Sequence, residues 1–196
     1  MPRHVINCRW RLSRGRFPRL VPNGVARVCA WNDDAWTTTD ESSIMGSKIL
    51  PCFVSGVIVK GFGRGSKALG IPTANLPESV VSALPEDLST GIYYGWASLH
   101  GGIYKMVASI GWNPYYKNEK KSMEVHLLHK FQDDFYGEKL RVIIAGYIRP
   151  ERDFSSLDEL ITEIKNDIAI AEHQLEEPVV NKLKNDDFLM INKANH

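Results

Sequence analysis

The fold of this chain is decided by two adjacent segments, IYYGWASL at residues 92–99 and IYKMVASI at residues 103–110. Both segments are rich in Ile, Val and Tyr, which favour β-strands. Only His100-Gly101-Gly102 separates them, and a short connection that contains glycine is typical of a β-hairpin. The sequence therefore predicts two antiparallel strands here.

Three further segments have the same character and extend the pattern in both directions. We predict strands over Cys52–Lys60, Ser122–Phe131 and Lys139–Ile148, with Asp134 and Gly137 marking the turn between the last two. Because no helical connectors separate these strands, the pattern favours an antiparallel barrel or sandwich over a doubly wound parallel sheet.

A long helix is predicted after the strands, over Leu157–Glu176. Ser156 followed by Glu159 has the pattern of a capping box at its start, and Pro178 lies just beyond its end. The apolar stripe of this helix needs a partner, which we expect to be the wall of the barrel. Its apolar residues recur at spacings of three and four: Leu157, Leu160, Ile161, Ile164, Ile168, Ala171 and Leu175.

The overall composition excludes several classes of protein. The chain of 196 residues carries 24 Lys and Arg against 23 Asp and Glu, which argues against nucleic-acid binding through a basic surface. No apolar run reaches the roughly 18 residues of a membrane span. Three widely spaced cysteines, Cys8, Cys29 and Cys52, predict a reducing compartment without a disulfide frame or zinc knuckle. We expect a cytoplasmic protein that binds neither nucleic acid nor membranes.

The first 49 residues differ from the rest of the chain. Residues 1–32 contain seven arginines and no acidic residue. Three interpretations stay open: a disordered or accessory extension, a mitochondrial transit peptide, and a nucleic-acid-binding arm. We predict an irregular, disordered extension over residues 1–49 and a β-barrel domain with its C-terminal helix over residues 50–196.

A glycine-rich loop, GFGRGSK at residues 61–67, follows the first predicted strand. Gly61, Gly63 and Gly65 let backbone N–H groups approach phosphate oxygens, and Lys67 adds positive charge. The spacing of the glycines matches neither the Rossmann nor the Walker pattern. A phosphate cradle and a flexible hairpin tip are therefore both compatible with this loop.

The next segment, GIPTANLP at residues 70–77, is held extended by its two prolines. Side chains alternate along an extended chain, so Thr73 and Asn75 point the same way. A hydroxyl and an amide oxygen are hard ligands that suit Mg²⁺. The alternative is an edge segment with ordinary polar residues.

Residues 122–129, SMEVHLLH, alternate as a strand, with Met123 and Val125 on one face and Glu124 and His126 on the other. A carboxylate within a strand is costly to bury without a partner, and a general base for an alcohol nucleophile has this character. The alternative is a solvated strand face. We expect His126 to be a hydrogen-bonded neighbour of Glu124 rather than a metal ligand.

Arg149, Arg152 and Phe154 lie between the last predicted strand and the helix. Together they would suit a planar, polar ligand. The alternative is packing at the end of the barrel, with solvated arginines.

Taken together, these motifs resemble the eukaryotic riboflavin kinase family over about residues 50–190. The resemblance rests on six ordered motifs: GFGRGSK (61–67), GIPTAN (70–75), GIYYGW (91–96), SIGWNPYYKN (109–118), KSME (121–124) and DFYG (134–137).

The resemblance implies a six-stranded antiparallel Greek-key β-barrel with a long C-terminal helix packed on it. It implies transfer of the γ-phosphoryl group of MgATP to the 5′-hydroxyl of riboflavin, with Mn²⁺ or Zn²⁺ as alternative metals. We expect a monomer with ATP and riboflavin as its partners. The residues that it implies are Gly61, Gly63, Gly65, Lys67, Thr73 and Asn75 for ATP, Thr73 and Asn75 for the metal, Glu124 for catalysis, and Arg149, Arg152 and Phe154 for the flavin.

The chain departs from the family at its start. Residues 1–4 resemble the start of family members, which runs almost directly into a segment like residues 50–53; here residues 5–49 intervene. Their length fits an in-frame insertion, such as a retained intron or alternative exon, and this weakens the transit-peptide interpretation. The chain also lacks the H-x-G-H signature of a second, adenylyltransferase domain, so we expect it to make FMN and not FAD. The rival interpretation is a non-catalytic barrel that binds flavin or nucleic acid.

Overall fold

The structure is a computed structural model that describes residues 27–28, 49–61, 70–112 and 120–190. Its strands are β1 (Arg27–Val28), β2 (Cys52–Val57), β3 (Ala74–Asn75), β4 (Gly91–Leu99), β5 (Gly102–Trp112), β6 (Lys121–Leu127) and β7 (Lys139–Arg149). Its helices are α1 (Glu78–Val81), α2 (Leu157–Gln174), α3 (Pro178–Asn181) and α4 (Asp187–Met190), with a 3₁₀ turn over Lys182–Asn185. In these ranges, no helix is both long enough and apolar enough to cross a membrane.

The strands form one antiparallel sheet in the order β1-β2-β7-β4-β5-β6-β3. Strands β4, β5 and β6 form a meander, and β7 returns to lie beside β4, which is the Greek-key order. Strands β2 to β7 curl into a half-barrel, and a bridge between Val59 and Asn75 links its two edges. The predicted fold class, a mainly antiparallel β-barrel with a C-terminal helix, is confirmed.

The predicted hairpin is confirmed, with a two-residue turn. The β4–β5 pairing runs from Gly91 opposite Ile110 to Leu99 opposite Gly102. His100 and Gly101 form the turn with φ values of 52° and 76°. Positive φ at both central residues matches the twist of the flanking strands.

Two predicted strands end earlier than the sequence indicates. Strand β2 stops at Val57 because the chain then crosses from β7 to β3, where the Val59 N–H donates to the Asn75 carbonyl at 2.9 Å. Strand β6 stops at Leu127, where the His129 N–H turns back to the Leu127 carbonyl at 2.7 Å. Hydrophobic composition continues past both points, so it does not mark these ends.

Apolar layers cover both faces of the sheet. The inner layer fills the half-barrel, and its largest members include Tyr93, Ile58, Leu99, Met106, Ile110, Met123 and Leu140. In the outer layer, Ala171 and Leu175, at and just beyond the end of α2, and Leu189 of α4 join Phe53, Tyr94, Trp96, Val107 and Ile143. The predicted packing of the long helix on the barrel wall is therefore confirmed.

The start of α2 is capped as the sequence predicts, with one change of partner. The Ser156 hydroxyl accepts the Glu159 N–H at 3.2 Å. The Glu159 carboxylate reaches back to Ser155 instead of Ser156, accepting its N–H at 2.9 Å and its hydroxyl at 2.7 Å. These hydrogen bonds lower the pKa of Glu159.

Strand β1 is the described part of the long N-terminal segment that precedes Ile49. It pairs with the outer edge of β2, with Arg27 opposite Phe53 and Val28 opposite Cys52. The other residues before Ile49 lie outside the described residues. The predicted disorder of residues 1–49 and the domain boundary at Leu50 therefore stay predictions.

We predict that a chain beginning at Leu50 keeps the fold and most of its stability, because β1 contributes only a two-residue pairing. The melting temperature should fall by less than about 4 °C, the shift that about 1 kcal/mol produces in a domain of this size. A thermal melt of both chains by circular dichroism measures this. Loss of the cooperative transition in the short chain would show that the N-terminal segment belongs to the fold.

Candidate active site

The predicted site residues are brought together by the pairing of β3 with β6. Ala74 lies opposite Val125, and Asn75 lies opposite Glu124. Residues that face each other in an antiparallel pair have their side chains on the same face. The side chains of Asn75 and Glu124 are therefore neighbours.

The predicted alternation of inward and outward side chains is confirmed on both segments. Ala74 and Val125 are buried in the inner layer, at 3% and 0% exposure. Thr73, Asn75 and Glu124 are half-buried, as expected for the opposite face. The oxygen-bearing side chains thus line the outer face of the half-barrel.

A hydrogen bond joins Thr73 to Glu124. The Thr73 hydroxyl donates to Oε2 of Glu124 at 2.9 Å in a partly buried setting. Because the single O–H of Thr73 is used in this hydrogen bond, the hydroxyl oxygen can act toward other groups only as an acceptor or a metal ligand. The sequence did not predict this bond, because the local pattern of neither segment determines the register in which β3 pairs with β6.

The start of the glycine loop lies against the same residues. A Cβ atom added to Gly61 would collide with the side-chain amide of Asn75, so a larger residue at this position would displace that amide. The loop therefore leaves the barrel at Asn75. Gly63, Gly65 and Lys67 lie outside the described residues, as does the centre of the aromatic loop at residues 113–119.

His126 is hydrogen-bonded, as expected, but through the backbone of the proline segment. Its Nδ1 lies 2.8 Å from the carbonyl oxygen of Pro72. The carbonyl can only accept, so Nδ1 carries the proton in this bond. His126 is thus tied to the segment that carries Thr73, on the same strand face as Glu124.

One row of paired residues crosses the sheet from the Glu124 region to the predicted flavin region. Asn75 pairs with Glu124, Glu124 with Ser109, Ser109 with Ile92, and Ile92 with Arg149. Glu124 and Arg149 are three strand spacings apart, which is about 14 Å along the sheet. The predicted catalytic and flavin residues therefore lie at two points of one row.

The structure brings Arg149, Arg152 and Phe154 together, but with acidic side chains of α2. Arg149 forms a two-pronged ion pair with Asp167, Nε to Oδ1 at 2.9 Å and Nη2 to Oδ2 at 2.7 Å. Arg152 Nη2 lies 2.6 Å from Glu163. The Phe154 ring centroid lies 5.8 Å from the guanidinium carbon of Arg149 and 5.1 Å from that of Arg152. Their role in flavin binding stays a prediction.

Sequence reasoning missed the two acidic partners, although one signal was present. Asp167 falls on the apolar stripe of α2, in line with Ile164 and Ala171, and it is only 2% exposed. A carboxylate on a buried stripe requires a cation or hydrogen-bond donors. Arg149, the last residue of β7, is the cation that pairs with this carboxylate.

The carboxylate of Glu151 packs against Gly111, near the C-terminal end of β5. Burial raises the pKa of Glu151, and a hydrogen bond from the backbone N–H of Trp112 opposes that rise. Its carboxylate fills the space that a Cβ of Gly111 would occupy. This contact ties the segment after β7 to the end of β5.

Comparison with known proteins assigns the family. The family model described as Flavokinase, riboflavin kinase, matches residues 49–175. The riboflavin kinase of Mus musculus is 61% identical over 146 residues, covering 74% of this chain and 94% of the mouse protein. That of Homo sapiens is 60% identical with the same coverage. The crystal structure of riboflavin kinase from Trypanosoma brucei matches with a TM-score of 0.57 and 29% identity, covering 74% of this chain and 91% of that one.

These matches define the class of protein as a β-barrel kinase. The chain belongs to the riboflavin kinase family.

The ion pair between Arg149 and Asp167 generates a stability prediction. Asp167→Ala should lower the free energy of unfolding by about 3 kcal/mol, because it leaves a largely buried guanidinium without its main partner. Glu176→Ala, which removes the more exposed pair with Lys105, is the matched control and should cost less than about 1 kcal/mol. Urea denaturation of both variants tests this; equal losses would contradict it.

Proposed function

We propose that the protein transfers the γ-phosphoryl group of ATP to the 5′-hydroxyl of riboflavin, giving FMN and ADP, with Glu124 as the acceptor of the hydroxyl proton. The observation that carries this proposal is the convergence of Thr73, Asn75 and Glu124 on one strand face, with the 2.9 Å bond from Thr73 to Glu124. Membership of the riboflavin kinase family supports the same reaction.

In this reaction the ribityl oxygen attacks the γ-phosphorus while the bond from phosphorus to the ADP oxygen breaks. Such transfers are catalysed mainly by positioning and by stabilisation of charge. Glu124 orients the hydroxyl and takes its proton as the new O–P bond forms. The bond from Thr73 fixes the carboxylate for that role.

The chemistry of the site fits a divalent metal, which riboflavin kinases use with ATP, and we propose Mg²⁺. Thr73 and Asn75 offer a hydroxyl and an amide oxygen, which are hard ligands of the kind that Mg²⁺ accepts alongside phosphate and water. Zn²⁺ prefers nitrogen and sulfur ligands, and within the described ranges no group of three or more His, Cys, Asp or Glu could hold a metal. When bound, Mg²⁺ neutralises charge on the phosphate oxygens.

The glycine loop is proposed to cover the phosphates. Gly61 packs against Asn75, so the chain that continues to Gly63, Gly65 and Lys67 starts at the proposed metal position. Backbone N–H groups and the Lys67 ammonium would then face the phosphate oxygens. We also propose Arg149, Arg152 and Phe154 on the flavin side of the row, a role that membership of the riboflavin kinase family supports.

The remaining proposals concern the setting of the enzyme. We propose a cytoplasmic protein that binds no nucleic acid, because the balance of basic and acidic residues and the widely spaced cysteines favour this, and we also propose that it is a monomer. The direct test incubates the protein with MgATP and riboflavin and separates the flavins by chromatography. FMN without FAD is the expected product, whereas flavin binding without FMN would overturn the proposal in favour of a binding protein.

Asn75→Ala is predicted to impair the use of MgATP far more than the binding of riboflavin, because Asn75 lies on the proposed phosphate side. Turnover and flavin binding are measured separately, the second by quenching of riboflavin fluorescence. Turnover that equals wild type across MgATP concentrations would show that Thr73 and Asn75 have only a structural role.

Glu124→Gln is predicted to lower turnover by about 10²–10⁴-fold, the usual contribution of a general base. The substitution keeps the size of the side chain and its ability to accept the Thr73 hydroxyl, but removes its negative charge and most of its basicity. Affinities for ATP and riboflavin should change little, since the contribution arises only as the hydroxyl attacks. Single-turnover FMN formation measures the effect, with a thermal melt as the control for folding. A folded variant with more than about a tenth of wild-type turnover would exclude Glu124 as the base.

A further inference from the structure

The segment that carries the proposed metal ligands pairs with β6 over a short length only. Gly70 has a φ of +76°, and Pro72 has no N–H to donate to a neighbouring strand. Regular pairing with β6 begins only at Ala74 and covers two residues. Side-chain hydrogen bonds from β6 therefore add to the short backbone pairing that positions Thr73.

We propose that His126 is a positioning residue that sets the geometry of the proposed metal and phosphate site; this inference rests on the proposed function. Its Nδ1–H donates to the Pro72 carbonyl at 2.8 Å. That bond restrains the chain immediately before Thr73, while the pairing of Ala74 with Val125 restrains it immediately after.

Two cross-links of similar length join the segment to the outer face of β6. His126 binds the backbone of Pro72 at 2.8 Å, and Glu124 accepts the hydroxyl of the next residue, Thr73, at 2.9 Å. His126 and Glu124 are two residues apart on one strand, so both reach the segment from the same side. Loss of the first cross-link would allow the Thr73 hydroxyl to move relative to Glu124 and Asn75.

The chemistry of the bond makes it persistent. A carbonyl oxygen only accepts, and Nδ1 is a donor both in the neutral Nδ1–H tautomer and in the protonated ring. Asparagine places an amide nitrogen at the same number of bonds from Cβ as Nδ1 of histidine. His126→Asn can therefore keep the donor, whereas His126→Ala removes it.

A matched control lies three residues further along the chain. His129 lies just beyond the end of β6 that His126 is near, and its ring contacts aromatic rings there, with its centroid 4.8 Å from those of Tyr104 and Phe131. His129 is exposed, and among the described residues its ring contacts Tyr104 and Phe131 rather than Pro72. His129→Ala removes an imidazole from the same region without touching the Pro72 carbonyl.

The test measures kcat/KM for MgATP, binding of MgATP by calorimetry and binding of riboflavin by fluorescence, each on the full chain. His126→Ala should lower kcat/KM for MgATP by about 3- to 10-fold, the size of one ordinary hydrogen bond. It should weaken MgATP binding and leave riboflavin binding unchanged. His126→Asn should recover most of both losses, and His129→Ala should match wild type.

Three outcomes would overturn the positioning role. The first is that His126→Ala has the wild-type kcat/KM for MgATP. The second is that His126→Ala weakens riboflavin binding as much as MgATP binding. The third is that His126→Asn, although a thermal melt shows it folded, loses as much MgATP use as His126→Ala. If the wild-type chain itself forms no FMN, the proposed reaction fails first. Calorimetric binding of MgATP by the His126 variants then still decides whether this residue orders the segment.

Discussion

The pairing of Asn75 with Glu124 is the contact on which the rest of the structure depends. Asn75 uses its backbone carbonyl to accept Val59 across the edge of the half-barrel, and its backbone pairs with Glu124. Its side chain packs against Gly61 at the start of the glycine loop. The same residue therefore links the two edges of the sheet and assembles the site. The β3–β6 ladder is only two residues long. The side-chain hydrogen bonds of Thr73 and His126 therefore add to the attachment of the β3 segment to β6.

The position of the site follows from the way the outer face is covered. The C-terminal end of α2 shields the middle of the sheet, where Trp96 and Val107 are buried. The outward side chains of β6 lie beyond this cover, so Glu124 and His126 stay half-buried. A carboxylate kept partly in contact with water avoids the full cost of burial, while the Thr73 hydroxyl still orders it.

Local patterns could predict the strands, the hairpin and the long helix, because alternation and 3.6-residue periodicity are properties of neighbouring residues. They could also place Thr73 and Asn75 on one side of an extended segment. The register between β3 and β6 could not be predicted, since it depends on contacts between residues distant in sequence. For the same reason the partners of His126 and Arg149 came only from the structure. The resemblance to a family supplied roles for these residues, but not the bonds that hold them.

The ion pairs between the end of β7 and α2 involve two of the three predicted flavin residues, Arg149 and Arg152. Arg149 is largely buried, and its nitrogens donate to Asp167 and to the Pro150 carbonyl. Its charge is thus paired with a carboxylate of α2, and this ion pair joins the end of β7 to the helix. Arg152 is about half exposed, at 48%. Riboflavin carries a planar ring without a fixed charge, so such a ligand needs stacking surfaces and hydrogen-bond donors more than a bare cation. Phe154 can supply a stacking surface, and both arginines are held beside its ring while they pair with carboxylates of α2. The roles of all three residues in flavin binding therefore stay predictions.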